Sequence, residues 1–230
     1  MPDAGRYPFS IPAIAAAEFR IEFTSRVTLL IGPNGSGKST IVEAIAALCG
    51  FAHLGGNRNF AIGPQPKSEL ADALRPSWQP KVTTGFLTRA EGFAGFIAQI
   101  DELARHDPGF HDVFGGRSGT TRSHGEGYLA VFRNRIGGRG VYLFDEPEAA
   151  LSPSRQIEFL QIVHAAEQRG DAQFIIATHS PMLMAYPGAT VLHLTDHGLL
   201  ERPFELTDHF RVLREFYRDP RAFMDAILTS

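Results

Sequence analysis

The sequence predicts an α/β protein with a largely parallel sheet and helices on both of its faces. Three apolar runs, at residues 27–31, 140–144 and 174–178, have the length and residue types of buried strands. Segments with helical spacing separate these runs along the chain. Strands that are apolar on both faces are typical of parallel sheets that helices cover on each side.

The composition is that of a globular protein. The chain has 230 residues, of which 43% are hydrophobic and 20% are charged, values that suit a packed domain. The net charge of −3 excludes the global basic field of a dedicated nucleic-acid binder. Cys49 is the single cysteine, so no intramolecular disulfide can form, as in proteins of reducing compartments. Because no apolar stretch approaches the roughly 18 residues of a membrane span, we expect a soluble, cytoplasmic protein.

Two segments precede the first buried strand. Residues 19–23 alternate apolar and polar side chains, which predicts a half-exposed strand. Residues 7–12 contain two prolines, which disfavour a helix, and are predicted to lie as an extended edge.

The residues between the first buried strand and the next helix predict a phosphate-binding loop. Ile41, Ile45 and Leu48 share one stripe of that helix. Glycines allow backbone N–H groups to point at phosphate oxygens, beside the positive end of the helix. Lys38 is predicted to reach the β- and γ-phosphates and Ser39 to bind Mg²⁺, which makes this a nucleoside-triphosphate site. The loop Gly32-Pro33-Asn34-Gly35-Ser36-Gly37-Lys38-Ser39-Thr40 fits the pattern G-x-x-x-x-G-K-[S/T].

The segment that follows is mixed. Residues 51–80 are rich in Gly, Pro and Asn and are predicted to be mostly loop, with one short helix over residues 68–74. A strand is predicted over residues 82–89, and helices over residues 93–103 and 126–136.

Two adjacent carboxylates, Asp145 and Glu146, end the second buried strand. In a protein with a phosphate loop, Asp145 is placed to hold Mg²⁺ through its water shell. Glu146 is then placed to orient or deprotonate the attacking water. A helix over residues 153–168, with Pro153 in its first turn, leads to the third buried strand.

Two further features lie at predicted element ends. His179 directly follows the third buried strand, on the same sheet edge as the two carboxylates, where it could contact the γ-phosphate. Ser123-His124-Gly125-Glu126 begins a helix, and its N–H groups with the Ser123 hydroxyl form either a second anion site or a helix cap. One chain cannot easily use two such helix starts on one triphosphate, whereas two copies arranged head to tail can.

The C-terminal part is predicted to contain a hairpin and two helices. Residues 191–194 and 199–201 flank the turn at Asp196-His197-Gly198 and predict the hairpin. Residues 205–217 and 220–228 have helical spacing.

As a set, these motifs resemble those of the ATP-binding cassette (ABC) ATPase superfamily, in the same order, over about residues 19–200. The resemblance implies a P-loop fold with a RecA-like core, an N-terminal antiparallel β portion and a helical lobe at about residues 91–136, within one domain over residues 1–230. It also implies ATP and Mg²⁺ as cofactors and a homodimer that forms on ATP. Gly32–Thr40 is similar to the Walker A loop, Asp145 and Glu146 to Walker B with its catalytic glutamate, Ser123–Glu126 to the signature acting in trans, residues 149–152 to the D-loop, and His179 to the switch histidine.

The chain departs from the family pattern at several positions. Arg122 and His124 replace the usual Leu and Gly of the signature, and Ser152 ends the D-loop where Asp is usual. Glu148 stands where transport ATPases usually carry Thr. Asp-Glu-Pro-Glu is more similar to the soluble branch, which includes chromosome-maintenance and recombination ATPases and small bacterial "AAA family" predicted ATPases.

Two family positions are not obvious in the sequence. Glu91 is the best candidate for the Q-loop residue, with Gln79 and Gln65 as alternatives. Phe9 is the candidate for stacking on adenine, although core packing is its simpler role.

Three functions follow from these observations. The first is a soluble ATPase that dimerises on ATP and acts on a protein or nucleic-acid partner. The second is the nucleotide-binding subunit of a membrane transporter, which would favour a standard Q-loop and signature. The third is a DNA-repair or DNA-binding ATPase, since five arginines and one acid lie between Arg117 and Arg139.

Overall fold

A mostly parallel, six-stranded sheet organises the fold. The structure is a computed structural model that describes residues 5–16, 19–51, 68–79, 81–82, 84–90, 92–106 and 124–229. The strand order is β2-β3-β4-β1-β5-β6, and among these strands the β5–β6 pair alone is antiparallel. The predicted α/β class with a parallel sheet is therefore confirmed. The strands are β1 (Val27–Ile31), β2 (Gly85–Arg89), β3 (Gly140–Asp145), β4 (Ala172–Ala177), β5 (Thr190–Thr195) and β6 (Gly198–Glu201).

Helices connect most of these strands, close to the predicted positions. Gly50 and Gly170, at φ 77° and 82°, end α2 and α6 in the left-handed conformation that glycine adopts without strain. The described helices are α1 (Pro12–Ala15), α2 (Lys38–Cys49), α3 (Glu69–Ala73), α4 (Phe93–His106), α5 (His124–Arg135), α6 (Pro153–Arg169), α7 (Pro181–Met184), α8 (Asp208–Arg218) and α9 (Pro220–Leu228).

The sheet carries a hydrophobic core on each face. Along β3, Tyr142 and Phe144 pack into one core, whereas Val141 and Leu143 pack into the other. Successive side chains of a strand point to opposite faces, so a strand that is buried throughout must be covered on both sides. The first core also contains aromatic side chains of α5, α6 and β4. Phe132 of α5, for example, has its ring centroid 4.8 Å from that of Phe144 on β3.

The N-terminal segment differs from the prediction. Residues 19–23 form no strand, and no strand precedes β1 in the described residues, so the implied N-terminal antiparallel portion is not observed there. Phe19 and Ile21 are partly buried against the second core, which explains the alternating pattern without a β-ladder. Residues 7–11 form turns that lead into α1, so the predicted extended edge is wrong. Pro12 can begin this helix because the first helical turn does not need its N–H.

The single domain over residues 1–230 and the lobe over residues 91–136 stay predictions. Of that lobe the structure describes α4 and α5, and residues 107–123 lie outside the description. None of the helices in the described ranges has the length and hydropathy needed to span a membrane.

Candidate ATP-binding site

The strand order brings together the predicted phosphate loop, the two carboxylates and His179, where the carboxyl ends of three strands meet. Strand β4 lies between β3 and β1, so the residues that follow these three strands are neighbours. Backbone hydrogen bonds continue past the strand ends, from Glu146 N–H to Ala177 O at 2.9 Å and from Thr178 N–H to Leu30 O at 3.1 Å. The segment with His179 therefore lies between the two carboxylates and the predicted phosphate loop.

The predicted phosphate loop connects β1 to α2 and needs glycine at two positions. A Cβ at Gly32 would lie 2.8 Å from Ser36 Oγ and 2.9 Å from Leu194 O. Gly37 has φ 100°, and a Cβ there would lie 2.9 Å from the Ile11 side chain of the segment that leads into α1. The N-terminal segment thus packs against the outer side of the loop. A larger residue at position 37 would displace either the loop or this segment.

Lys38 lies at the base of this loop. Its Nζ donates hydrogen bonds to Gly32 O at 3.1 Å and to Pro33 O at 3.2 Å. Burial lowers the pKa of Lys38, while the negative charges of nearby carboxylates, Glu146 first, act in the opposite direction. The loop, Lys38 and Glu146 line an open cavity of about 470 Å³.

Ser39 and Asp145 meet beside Lys38. Ser39 Oγ donates to Asp145 Oδ1 at 3.0 Å, and Arg89 Nε lies 3.5 Å from Asp145 Oδ2. Burial raises the pKa of Asp145 to about 6, although Arg89 and Ser39 both act to lower it. A hydroxyl and a carboxylate in contact are hard oxygen ligands of the kind that Mg²⁺ prefers, so this pair fits the ion.

Arg89 was not singled out in the sequence. It is the last residue of β2, is paired in register with Asp145 and forms an ion pair with Glu43 of α2. The parallel pairing of β2 with β3 places Arg89 beside Asp145. In the sequence, its position at the end of a predicted strand was the one feature that could have indicated this.

Glu146 has an unusual backbone. Its φ of 51° makes it the one non-glycine with positive φ among the described residues. Such strain costs about 1–3 kcal/mol and is concentrated at functional sites. Its side chain is 42% exposed, and Oε1 lies 3.6 Å from His179 Nε2. The strained turn directs this carboxylate away from the core and toward the cavity mouth.

Family comparisons agree with this geometry. A family model described as "AAA domain" matches residues 10–138, which is more than half of the chain. The chain belongs to this AAA-domain family. A second model, described as "AAA domain, putative AbiEii toxin, Type IV TA system", matches residues 123–185. The relatives described next have names of ATP-binding proteins, in agreement with the ABC ATPase resemblance of the motifs.

Two curated relatives illustrate the likeness. The chain is 26% identical over 204 residues to the molybdenum import ATP-binding protein ModC of Mesorhizobium japonicum, covering 78% of this chain but 52% of that protein. It is 28% identical over 165 residues to the thiamine import ATP-binding protein ThiQ of Cereibacter sphaeroides, covering 66% and 70%. The chain thus spans about half the length of the first of these relatives.

Two solved structures are similar at lower identity. An ATP-binding cassette of an ABC transporter aligns with a TM-score of 0.48 and 17% identity, over 88% of this chain and 90% of that one. The SMC head domain from Thermotoga maritima aligns with a TM-score of 0.43 and 17% identity, over 80% and 92%.

Tyr7, rather than Phe9, is the aromatic residue that lines the cavity. Tyr7 is 63% exposed, lines the cavity and forms a hydrogen bond between its Oη and Thr40 Oγ1 at 3.0 Å. Phe9 packs against the second core, so the simpler role given to it from the sequence is confirmed. The sequence offered no means of choosing between two aromatics two residues apart.

Two more side chains approach His179. Glu148 Oε1 accepts hydrogen bonds from the backbone N–H groups of His179 and Ser180. His209, in the first turn of α8, has its ring centroid 6.2 Å from that of His179. Burial lowers the pKa of His209, and the positive charge of His179 adds to this effect. Neither contact could be read from sequence, since both join distant segments.

Several predicted residues lie outside the description. Ser123, Glu91 and Gln65 fall in undescribed ranges, and Gln79 is exposed. His124 begins α5, one residue after the predicted signature serine. The remaining two signature residues are described. A Cβ at Gly125 would lie 3.3 Å from Ala150 O, and Glu126 accepts a hydrogen bond from Arg155 at 2.9 Å.

The basic stretch is partly neutralised. Arg133 pairs with Glu158 at 2.7 Å, and Arg135 is half-buried. Arg117 and Arg122 lie outside the described residues. The described part of α5 therefore does not present a purely basic face.

Proposed function

We propose that the protein hydrolyses ATP with Mg²⁺ and that two copies close head to tail around the nucleotide. The observation that supports this best is the convergence at one sheet edge of Lys38, the Ser39–Asp145 pair at 3.0 Å and the Glu146–His179 pair at 3.6 Å. A phosphate cradle, a cation site and a base oriented by a second group are the parts that ATP hydrolysis requires.

The phosphate loop binds the triphosphate in this proposal. Backbone N–H groups of residues 34–40 and the N-terminus of α2 surround the phosphates, and Lys38 leaves its carbonyl partners to reach the β- and γ-oxygens. Ser39 and Asp145 hold Mg²⁺, which neutralises charge on the phosphate oxygens when bound. Arg89 steadies the Asp145 carboxylate from the opposite side.

Glu146 and His179 act at the γ-phosphate. Glu146 orients the attacking water and accepts its proton, since its exposed carboxylate faces the cavity that Lys38 also lines. His179 contacts the γ-phosphate through Nε2, which lies beside Glu146. Both groups come from the chain that binds the nucleotide.

The second copy supplies the remaining face of the nucleotide. The Ser123 hydroxyl and the N–H groups of His124, Gly125 and Glu126 at the start of α5 bind the partner's γ-phosphate, because helix N-termini attract anions. Glu91 serves as the Q-loop residue. The bulk of His124 tunes this closure.

Glu146→Gln tests both parts of the proposal. The substitution removes the base but keeps the side-chain shape, so ATP remains bound and the closed dimer accumulates. Light scattering should show the mass doubling from 25.2 kDa on addition of Mg-ATP, with phosphate release lost. ADP is the control ligand and should leave the monomer. A variant that binds ATP but stays monomeric contradicts the head-to-tail arrangement.

A second candidate function is favoured by the import relatives. In it, the protein is the nucleotide-binding subunit of a transporter, as the names of two relatives indicate for those proteins. Affinity capture with Glu146→Gln and ATP from detergent-solubilised membranes distinguishes the two. Recovery of an integral membrane protein at equal stoichiometry supports the transporter, and a homodimer without one supports the first proposal.

A further inference from the structure

Glu148 links the turn that carries Glu146 to the segment that carries His179. It lies in the 3₁₀ turn Pro147–Ala150, directly after β3 and Glu146. Its Oε1 accepts from the backbone N–H of His179 and from that of Ser180, the latter at 3.2 Å. Hydrogen bonds to a carboxylate are roughly twice as strong as neutral ones. The backbone of His179 is therefore held by a side chain two positions from Glu146.

A second contact joins the same two segments. Gln156, buried near the start of α6, donates to Leu151 O at 3.1 Å and accepts from Ser180 Oγ at 2.6 Å. The segment after Glu146 is therefore hydrogen-bonded to the segment after β4 by two side chains, Glu148 and Gln156. The second contact falls on Ser180, the residue directly after His179.

The same turn also contacts α5, which begins at the predicted signature. Ala150 O lies 3.3 Å from the position of a Cβ at Gly125. Burial raises the pKa of Tyr128 on α5, and the negative charges of Glu148 and Asp145 raise it further. Glu148 is therefore within electrostatic range of α5 as well as in contact with the His179 segment.

The other carboxylate oxygen of Glu148 is buried. In the described part of the chain, Oε2 has no hydrogen-bond partner. Burying such an atom costs free energy, so fold stability alone is a poor explanation for a glutamate here. A half-buried carboxylate with an unpartnered oxygen beside Glu146 and His179 is a candidate for a functional role.

We propose that Glu148 is a positioning residue of the ATPase reaction. This inference rests on the function proposed above. By holding the backbone of His179, Glu148 keeps the imidazole beside the Glu146 carboxylate, so that both groups meet the γ-phosphate and the water together. When two copies close and the turn moves, His179 moves with it.

The test compares three substitutions of Glu148 in the full chain. Glu148→Ala removes the acceptor and is expected to lower kcat about 10- to 100-fold, with the Kd for Mg-ATP changed less than about twofold. Glu148→Gln keeps one acceptor oxygen and should stay within about threefold of the wild-type kcat. Glu148→Asp keeps the charge but is one methylene shorter, and its kcat should fall between the two. Phosphate release gives kcat, and titration calorimetry on the Glu146→Gln background gives Kd.

Glu102→Ala, which removes an exposed acid of α4, is the matched control and should keep the wild-type kcat. Wild-type kcat in both Glu148→Ala and Glu148→Asp overturns the proposal. Equal losses in all three variants, with lower melting temperatures and lost ATP binding, also overturn it, because they indicate a purely structural role. If Glu148→Ala does not fold, the other two variants decide. A higher kcat for Glu148→Gln than for Glu148→Asp supports the proposal, and the reverse order overturns it. A separate result would contradict the proposed function itself. The wild-type protein would release no phosphate from ATP, or Glu146→Gln would release as much as the wild type.

Discussion

The two sides of the ATP site are built from different groups. The phosphate-binding side, residues 32–40, consists mainly of backbone from one continuous segment, held in shape by glycines and by the segment that leads into α1. The carboxylate side, residues 146–148 with His179, consists of side chains whose positions depend on contacts between distant segments. The first side is suited to holding a charged ligand, and the second to transferring a proton beside it.

This difference predicts that binding and turnover can be separated. Substitutions on the phosphate-binding side should remove affinity for ATP. Substitutions on the carboxylate side should remove turnover and leave affinity nearly intact, as argued for Glu146 and Glu148. Asp145 lies between the two sides, because it contacts Ser39 on one and precedes Glu146 on the other.

The largest effect is expected for Lys38→Ala. The variant loses the one lysine that lies at the base of the loop, so the Kd for ATP should rise at least about 100-fold. Titration with a fluorescent ATP analogue measures this. The fold should be retained, since Lys38 otherwise bonds only to Gly32 O and Pro33 O in the described structure.

The matched control is Lys81→Ala, which removes an exposed lysine and should leave the affinity unchanged. If Lys38→Ala binds ATP as tightly as the wild type, the assignment of the phosphate-binding side is wrong. If both Lys38→Ala and Glu146→Gln bind ATP weakly, the two sides do not separate binding from turnover.

A smaller effect is expected for Tyr7→Ala. Tyr7 lies at the cavity mouth and can stack on the adenine ring, a contact worth about 1 kcal/mol, so the Kd for ATP should rise about fivefold. Tripolyphosphate has no base, and its Kd should not change. Competition against the same fluorescent analogue gives both constants.

Two variants serve as controls for Tyr7. Tyr7→Phe keeps the ring and loses only the hydrogen bond to Thr40, so it should bind ATP nearly as well as the wild type. Phe9→Leu preserves core packing and should have no effect. Equal weakening of ATP and tripolyphosphate binding in Tyr7→Ala shows that the residue supports the loop instead of the base.

The sequence predicted the phosphate-binding side in detail because that side is local. The spacing of Gly32, Gly37 and Lys38 encodes its geometry within one segment, and the apolar runs around it identify the strand and the helix. The positions of Asp145, Glu146 and His179 were predicted for a related reason. The carboxyl ends of parallel strands share one edge, so a position directly after a strand predicts a position in space.

What the sequence could not predict depends on contacts between segments. Arg89 meets Asp145 through strand pairing, and Glu148 reaches His179 across 31 positions. The alternation at residues 19–23 was misleading, since partial burial of Phe19 and Ile21 produces the same pattern as a strand. Periodicity reports which side chains are buried and does not report whether the backbone has a partner strand.

A further effect, on stability instead of ATP affinity, is expected for Asp145→Asn. Burial raises the pKa of Asp145 from its ordinary value of 3.8 to about 6, so the folded protein holds this proton more tightly than the unfolded chain. The resulting stability is present below the unfolded pKa and is lost as the pH rises through about 6. At pH 7.5 the charged carboxylate therefore costs the metal-free protein about 1–3 kcal/mol.

Asparagine carries no charge at any of these pH values and still offers Ser39 an acceptor oxygen. In EDTA, Asp145→Asn should unfold at higher urea concentration than the wild type at pH 7.5, and the difference should shrink toward pH 4.5. Asp225→Asn, at an exposed position of α9, should show no such trend. Added Mg-ATP should stabilise the wild type more than Asp145→Asn, since the variant has lost the carboxylate that holds the ion. An unchanged or lower midpoint for Asp145→Asn at pH 7.5 means that the contacts with Arg89 and Ser39 outweigh the cost of burying the charge.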